Sequence, residues 1–157
     1  MNHALHIDVP SLRQIADIVD LGREMHNESQ FSIAPYNPMK TEQMLLHARA
    51  HPDWLLLCAI DGDNQVIGMF MGLVSTYFMA DGLMAEDKVL FVTKSKRGVI
   101  AAKRMLNEYV AWARAKGCTQ AYMNHTTGVD TDRGAKFFEH VGFGKIGTIH
   151  VVNFKEN

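Results

Sequence analysis

Leu12, Ile15, Ala16, Val19 and Met25 recur at roughly helical spacing behind a Pro10-Ser11 pair that suits a helix start. This predicts a first amphipathic helix, preceded by a weak strand over residues 4–9. From Asn27 to Lys40 the period disappears, and Pro35, Asn37 and Pro38 interrupt the chain, so a long loop is expected there. A second helix, capped by Thr41, should follow and run to about His51. Residues 54–60 are a continuous apolar run, Asp61-Gly62-Asp63-Asn64 is turn chemistry, and residues 65–78 are rich in Val, Ile, Phe and Met. Together they read as a hairpin of internal strands. A short strand at 89–93 precedes the clearest helical stripe in the chain, Val99, Ala102, Leu106, Val110 and Ala113, which Gly117 closes. A strand at 118–126, a helix at 131–141 ended by Gly142, and a last strand at 143–154 containing Gly144 and Gly147 complete the pattern. The order β-α-α-β-β-β-α-β-α-β has no repeat and no dividing linker. It predicts one domain over residues 1–157, of the α/β (α+β) class, with helices covering both faces of its sheet.

Composition narrows the reading. A chain of 157 residues with 47% apolar content can bury a sizeable core without a metal or disulfide. Its 16 basic and 17 acidic residues leave a net charge of -1, which argues against a general nucleic-acid binder, since that work needs a large positive excess on one face. Residues 1–10 lack a charged-then-apolar leader pattern, and the apolar stretch at 66–80 is broken by Gly68, Gly72, Ser75 and Thr76 and is shorter than the ~18 residues of a membrane span. A soluble, cytoplasmic protein with no membrane contact is expected. Cys58 and Cys118 lie in apolar segments and read as core thiols of a reducing compartment. Among eight histidines, His47 and His51 form the one i, i+4 pair; without a third ligand they read as a helix surface rather than a metal site. The ten methionines form no single stripe and read as core filling.

The chemistry-bearing stretch runs from Val92 to Arg104. A strand ends, a short basic turn follows, and a helix opens with Gly98, Ala101 and Ala102. Unpaired N–H groups in the first turn of such a helix, at the positive end of its dipole, suit a phosphate or pyrophosphate, and small residues let the anion approach. Lys94, Lys96, Arg97, Lys103 and Arg104 would strengthen that field. The same five residues would also serve as an ordinary solvated face.

At these residues the chain resembles the GNAT family of N-acetyltransferases, whose signature V-x-P-x-x-R-G-x-G-x-G/A joins a fourth strand to a third helix. Val92, Arg97, Gly98 and Ala102 stand at matching places, while Lys94 replaces the usual proline and Ile100 the middle glycine. The hairpin segment 58–68 and the segment 131–143 are similar to two further family stretches. In the second, Phe137, Gly142 and Phe143 match, whereas Thr131, Gly134 and Phe138 replace the usual asparagine, alanine and tyrosine. The loop with Glu28-Ser29 is similar to members often found in bacteriophage genomes.

The resemblance implies a GNAT-like twisted mixed sheet and transfer of an acetyl (acyl) group from acetyl-CoA to an amine. It implies that the pyrophosphate sits on Arg97, Gly98, Val99, Ile100, Ala101 and Ala102, that a main-chain N–H near Phe91, Val92 and Thr93 meets the thioester carbonyl, and that Thr131 and Phe138 lie beside the cofactor. Glu86, six residues before Val92, is in a place similar to the family's glutamate base, although its Glu-Asp-Lys setting also suits an exposed strand end. Asn124 and His125 are second-rank candidates for acceptor or cofactor contacts, and Phe31 and Tyr36 could line an acceptor pocket. With Phe138 in place of the family's tyrosine, the proton for the leaving thiolate would come from Tyr122, His140 or, as we expect, water. The rival reading is a catalytically weak or inactive domain that binds CoA or a protein partner. The acceptor, small molecule or protein, and whether the chain pairs as a homodimer are left open.

Overall fold

The computed structural model describes residues 4–154. Strand β1 (His6–Asp8) leads to helices α1 (Gln14–Glu28) and α2 (Pro38–Ala50), joined through a 3-10 turn at Gln30–Ile33. Strands β2 (Trp54–Ile60), β3 (Val66–Thr76) and β4 (Leu83–Val92) follow, then a 3-10 turn at Lys94–Lys96, α3 (Val99–Ala115), β5 (Cys118–Ala121) and α4 (Thr131–His140). The five strands form one sheet in chain order, antiparallel except for the parallel β4–β5 pair. This is the mixed α/β sheet with helices on both faces that the hydrophobic pattern anticipates.

Period-two alternation assigns the two faces. Leu56, Cys58 and Ile60 of β2 turn to one side with Met69, Met71 and Phe91, where Ile15, Ile18 and Leu21 of α1 and Leu45 and Ala48 of α2 cover them. Leu57 and Ala59 turn to the other side with Phe70, Ala85 and Val92, beneath Ala101, Met105, Leu106, Tyr109 and Ala113 of α3. Cys58 is wholly enclosed, and burial pushes its thiol up to about 12, so it is a packing residue rather than a nucleophile.

Several boundaries differ from the sequence expectation. Helix α2 starts at Pro38, earlier than expected: the Asn37 side chain accepts the Lys40 N–H at 3.0 Å, and proline is favoured at the first helical position, where its missing N–H is no loss. Strand β4 begins at Leu83 rather than 89, because β3 supplies a partner along that whole edge. Strand β5 stops at Ala121, well short of 126. The expected strand at 143–154 does not form in the described part of that segment, up to residue 154. Ile146, Ile149, Val151, Val152 and Phe154 are exposed there. Gly144 and Gly147 leave open space where side chains would pack onto a neighbour, and a strand without a partner has little to stabilise it. Among the described residues no helix is long and apolar enough to cross a membrane.

Candidate functional site

The separation of β5 from β4 creates the site. The two strands pair only through Leu83, Met84 and Ala85, and the Tyr122 N–H closes the ladder on the Ala85 carbonyl at 2.8 Å. One step on, Asp87 takes over as acceptor: its Oδ1 receives both the backbone N–H and the side-chain N–H of Asn124, each at 2.8 Å. Beyond Asp87 the strands part. A cavity of about 760 Å³ opens between the last residues of β4, the turn into α3, the 124–130 loop, α4 and the end of α1.

A bulge decides which carboxylate faces that opening. Val89 pairs with Met71 and Asp87 with Gly72, so Lys88 is an extra residue on β4. The inserted residue inverts the alternation. Leu90 and Val92 lie on the α3 side, and so does Ala85, although an unbroken strand would put Glu86 there instead. Asp87 accordingly lines the cavity, whereas Glu86, paired with Leu73, is not among the lining residues. Asp87 is 8% exposed; burial raises its carboxyl above the usual carboxylate range, and the two Asn124 bonds partly oppose that shift.

The turn into α3 is held from three sides. The Thr93 hydroxyl donates to both carboxylate oxygens of Glu24 (2.8 and 2.9 Å), and the Lys94 N–H donates to the same group at 3.0 Å. Arg97 donates from Nε to the Val92 carbonyl at 3.1 Å, pairs with Glu28 on α1, and lies over the Phe91 ring with 5.2 Å to its centroid. Gly98 caps α3 with no side-chain partner, so the first-turn amides receive no local acceptor, and a Cβ added at Gly98 would meet nothing within 4 Å. Such an opening, with Arg97 at its rim, fits an anionic group.

The sequence-derived candidates divide accordingly. Phe91, Val92, Arg97, Gly98, Ala102 and Phe138 line the cavity. Thr93 lies just behind, bound to Glu24, with its own N–H donated to the Ile67 carbonyl at 2.8 Å. Strand alternation then turns the Val92 N–H toward the side from which β5 has departed. Val99 opens the helix, and its side chain lies outside the described residues. Ala101 is buried in the core beneath α3, and Ile100 is 69% exposed, so it neither enters the core nor lines the cavity. Thr131 begins α4 as an exposed residue apart from the cavity wall. Of the alternative proton donors, Tyr122 is engaged with Gln120 at 2.9 Å on another face, while His140 reaches the cavity rim. Phe31 lines the cavity, but Tyr36 donates to the Val19 carbonyl at 2.7 Å and serves to pin the loop.

Two participants escaped the sequence reading. Glu24 sits one turn before Glu28, on the α1 face that meets the turn; helical spacing alone would have paired them. Asp87 lies beside the residue that strand parity favours, and only the bulge exposes it.

The family model described as "Acetyltransferase (GNAT) family" matches residues 18–143. Solved structures with the same fold include an aminoglycoside antibiotic 6'-N-acetyltransferase from Acinetobacter baumannii, 20% identical with a TM-score of 0.71 over 98% of this chain and 99% of that one. A ribosomal-protein-alanine N-acetyltransferase from Brucella melitensis biovar Abortus 2308 is 17% identical, with a TM-score of 0.72 over 97% and 100% of the two chains. A glucosamine-6-phosphate N-acetyltransferase from Arabidopsis thaliana is 12% identical, with a TM-score of 0.68 over 97% and 99%. No curated protein sequence matches the chain.

Proposed function

The chain belongs to the GNAT acetyltransferase family, and on that premise we propose that it transfers an acetyl group from acetyl-CoA to an amine, with Asp87 rather than Glu86 as the base. The observation that carries this reading is the cavity itself: the parting of β4 from β5 brings a buried carboxylate, an open strand edge and an uncapped helix start to one space.

The residues present fit the cofactor. Arg97, Gly98 and the first-turn amides of α3 would hold its pyrophosphate, and Phe91, Val92 and Phe138 would line its arm. Bound there, acetyl-CoA supplies an activated acyl group as a thioester. The chain's own tasks are then few. The Val92 N–H, on the open edge of β4, is the donor placed to polarise a carbonyl. Asp87 receives the proton of the acceptor ammonium directly or through one water. Its raised affinity for protons makes it a better base than a solvated carboxylate, and the Asn124 bonds, both on Oδ1, leave Oδ2 for that exchange. Lys88, Arg97, Arg133 and Lys136 offset Asp87, Glu28 and Asp130 around the rim, so the acceptor must approach through mixed charge rather than a uniform field.

The test is a calorimetric titration with acetyl-CoA followed by a thiol-release assay over small amines, aminosugars and peptide amino termini. Saturable binding with release on at least one amine class is expected. Absence of binding overturns the reading; binding without release on any class leaves a CoA-binding domain in its place.

A further inference from the structure

Position 134 in α4 is glycine, and the structure shows what occupies the space of its missing side chain. A Cβ there would collide with Cε1 and Nδ1 of His125 and lie 2.8 Å from its Nε2. These are three atoms of one imidazole, so any larger residue at 134 would displace the ring. The ring is held from two other directions. Nε2 lies 3.0 Å from the Val129 carbonyl, and the ring meets Phe138 edge-on with 5.8 Å between centroids. His125, Gly134 and Phe138 all line the cavity. A carbonyl only accepts, so Nε2 carries the proton of that bond and Nδ1 is the nitrogen left to gain or lose one.

We propose that His125, seated on Gly134 beside the apolar Phe138, is the proton donor to the departing thiolate. This rests on the acetyl-transfer reading above. Asp87 first passes the ammonium's proton on to solvent; as the freed amine nitrogen bonds to the acetyl carbon, that nitrogen gives a second proton to Asp87. The carbon–sulfur bond then breaks with its electron pair on sulfur, and sulfur takes the Nδ1 proton of the imidazolium. That second proton passes from Asp87 through solvent to His125, so each turnover turns one ammonium and one thioester into one amide, one thiol and one proton released to solvent, with no net change in the protein. Phe138 carries no hydroxyl to compete for this role, and its ring packs against the imidazole.

Three measurements test the assignment on the full chain. The imidazole nitrogens of His125, followed by long-range proton–nitrogen NMR, should respond at Nδ1 more than at Nε2 when free CoA is added. His125→Gln should lower thiol release by roughly 10²-fold or more, a usual range for loss of a general acid, while calorimetric affinity for acetyl-CoA stays within about twofold of the parent. Adding Phe138→Tyr to that variant should recover part of the rate. Should His125→Gln fail to fold, Gly134→Ala carries the test: it keeps the imidazole but moves the ring, and release should fall likewise. Parental turnover in His125→Gln, or in Gly134→Ala where that variant stands in for it, with acetyl-CoA still bound overturns the donor assignment and leaves the acetyl-transfer reading standing. Loss of acetyl-CoA binding by the parent protein overturns both.

Discussion

The Asp87 carboxylate stands where the β4–β5 ladder would otherwise continue, and that position sets both its chemistry and its cost. Burial raises its proton affinity above that of the unfolded chain, so the native state binds the proton more readily. Stability therefore falls as pH rises from the ordinary carboxylate range through the raised native value, and the penalty is fully present above that value. Asp87→Asn removes the charge but keeps an oxygen for the Asn124 N–H. Its thermal midpoint at pH 7 should equal or exceed that of the parent, with the difference closing below the ordinary carboxylate range, while acetyl transfer drops by about 10²-fold or more. A midpoint below the parent's at pH 7 would show that the two Asn124 bonds outweigh the burial. This residue also marks the limit of the sequence reading. The family resemblance singled out Val92, Arg97, Gly98 and Ala102, which line the cavity, but which of Glu86 and Asp87 faces it depends on one inserted residue in β4 that leaves no mark in the amino-acid pattern.

Elements with a complete partner surface were legible; those defined by a partner's edge were not. Strand β2 matches its apolar run end to end, and α3 spans the whole of its expected stripe, with Ala102, Leu106, Val110 and Ala113 turned from solvent, because burial on both sheet faces and on one helix face writes the corresponding period into the sequence. The first half of β4, with Glu86, Asp87 and Lys88 in succession, shows no strand period, and pairing with β3 imposes the conformation instead. The 143–154 segment is the converse case: its apolar residues suit a strand, yet no strand forms among its described residues. Helix α3 has the further task of aiming its first turn at the cavity, and Met105 anchors it. Its side chain is wholly buried, with Cε 3.2 Å from the place a Cβ at Gly68 would occupy, so helix and sheet meet there without slack. Met105→Ala should cost about 2–5 kcal/mol in urea unfolding, with an unchanged denaturant slope. A loss under about 1 kcal/mol would mean that the helix settles into the gap, and acetyl-CoA affinity should then fall as its first turn shifts.

At the scale of the molecule, the cavity is where both layers of the fold meet. Its walls come from α1 on one face of the sheet, from α3 and α4 on the other, and from β4 between them, with Arg97 bridging to Glu28 across the layers. A ligand held there touches all of them and exists only when they are assembled, so its binding energy adds to folding energy. At a concentration about 100 times its dissociation constant, acetyl-CoA should stabilise the chain by about 2.7 kcal/mol. For a chain of this size that corresponds to a rise of roughly 5–10 °C in the thermal midpoint. Gly98→Val separates this contribution from the rest of the fold. Gly98 is in extended backbone that any residue adopts, and a Cβ there meets nothing, so the unliganded variant should melt within about 2 °C of the parent, as expected for a substitution that costs little. The added branches would instead occupy the approach to the first-turn amides, so the acetyl-CoA-induced rise should shrink to a small fraction of the parental value. A full ligand-induced rise in Gly98→Val would place the anion somewhere other than the start of α3, and an equal loss of midpoint with and without ligand would assign the glycine to folding instead.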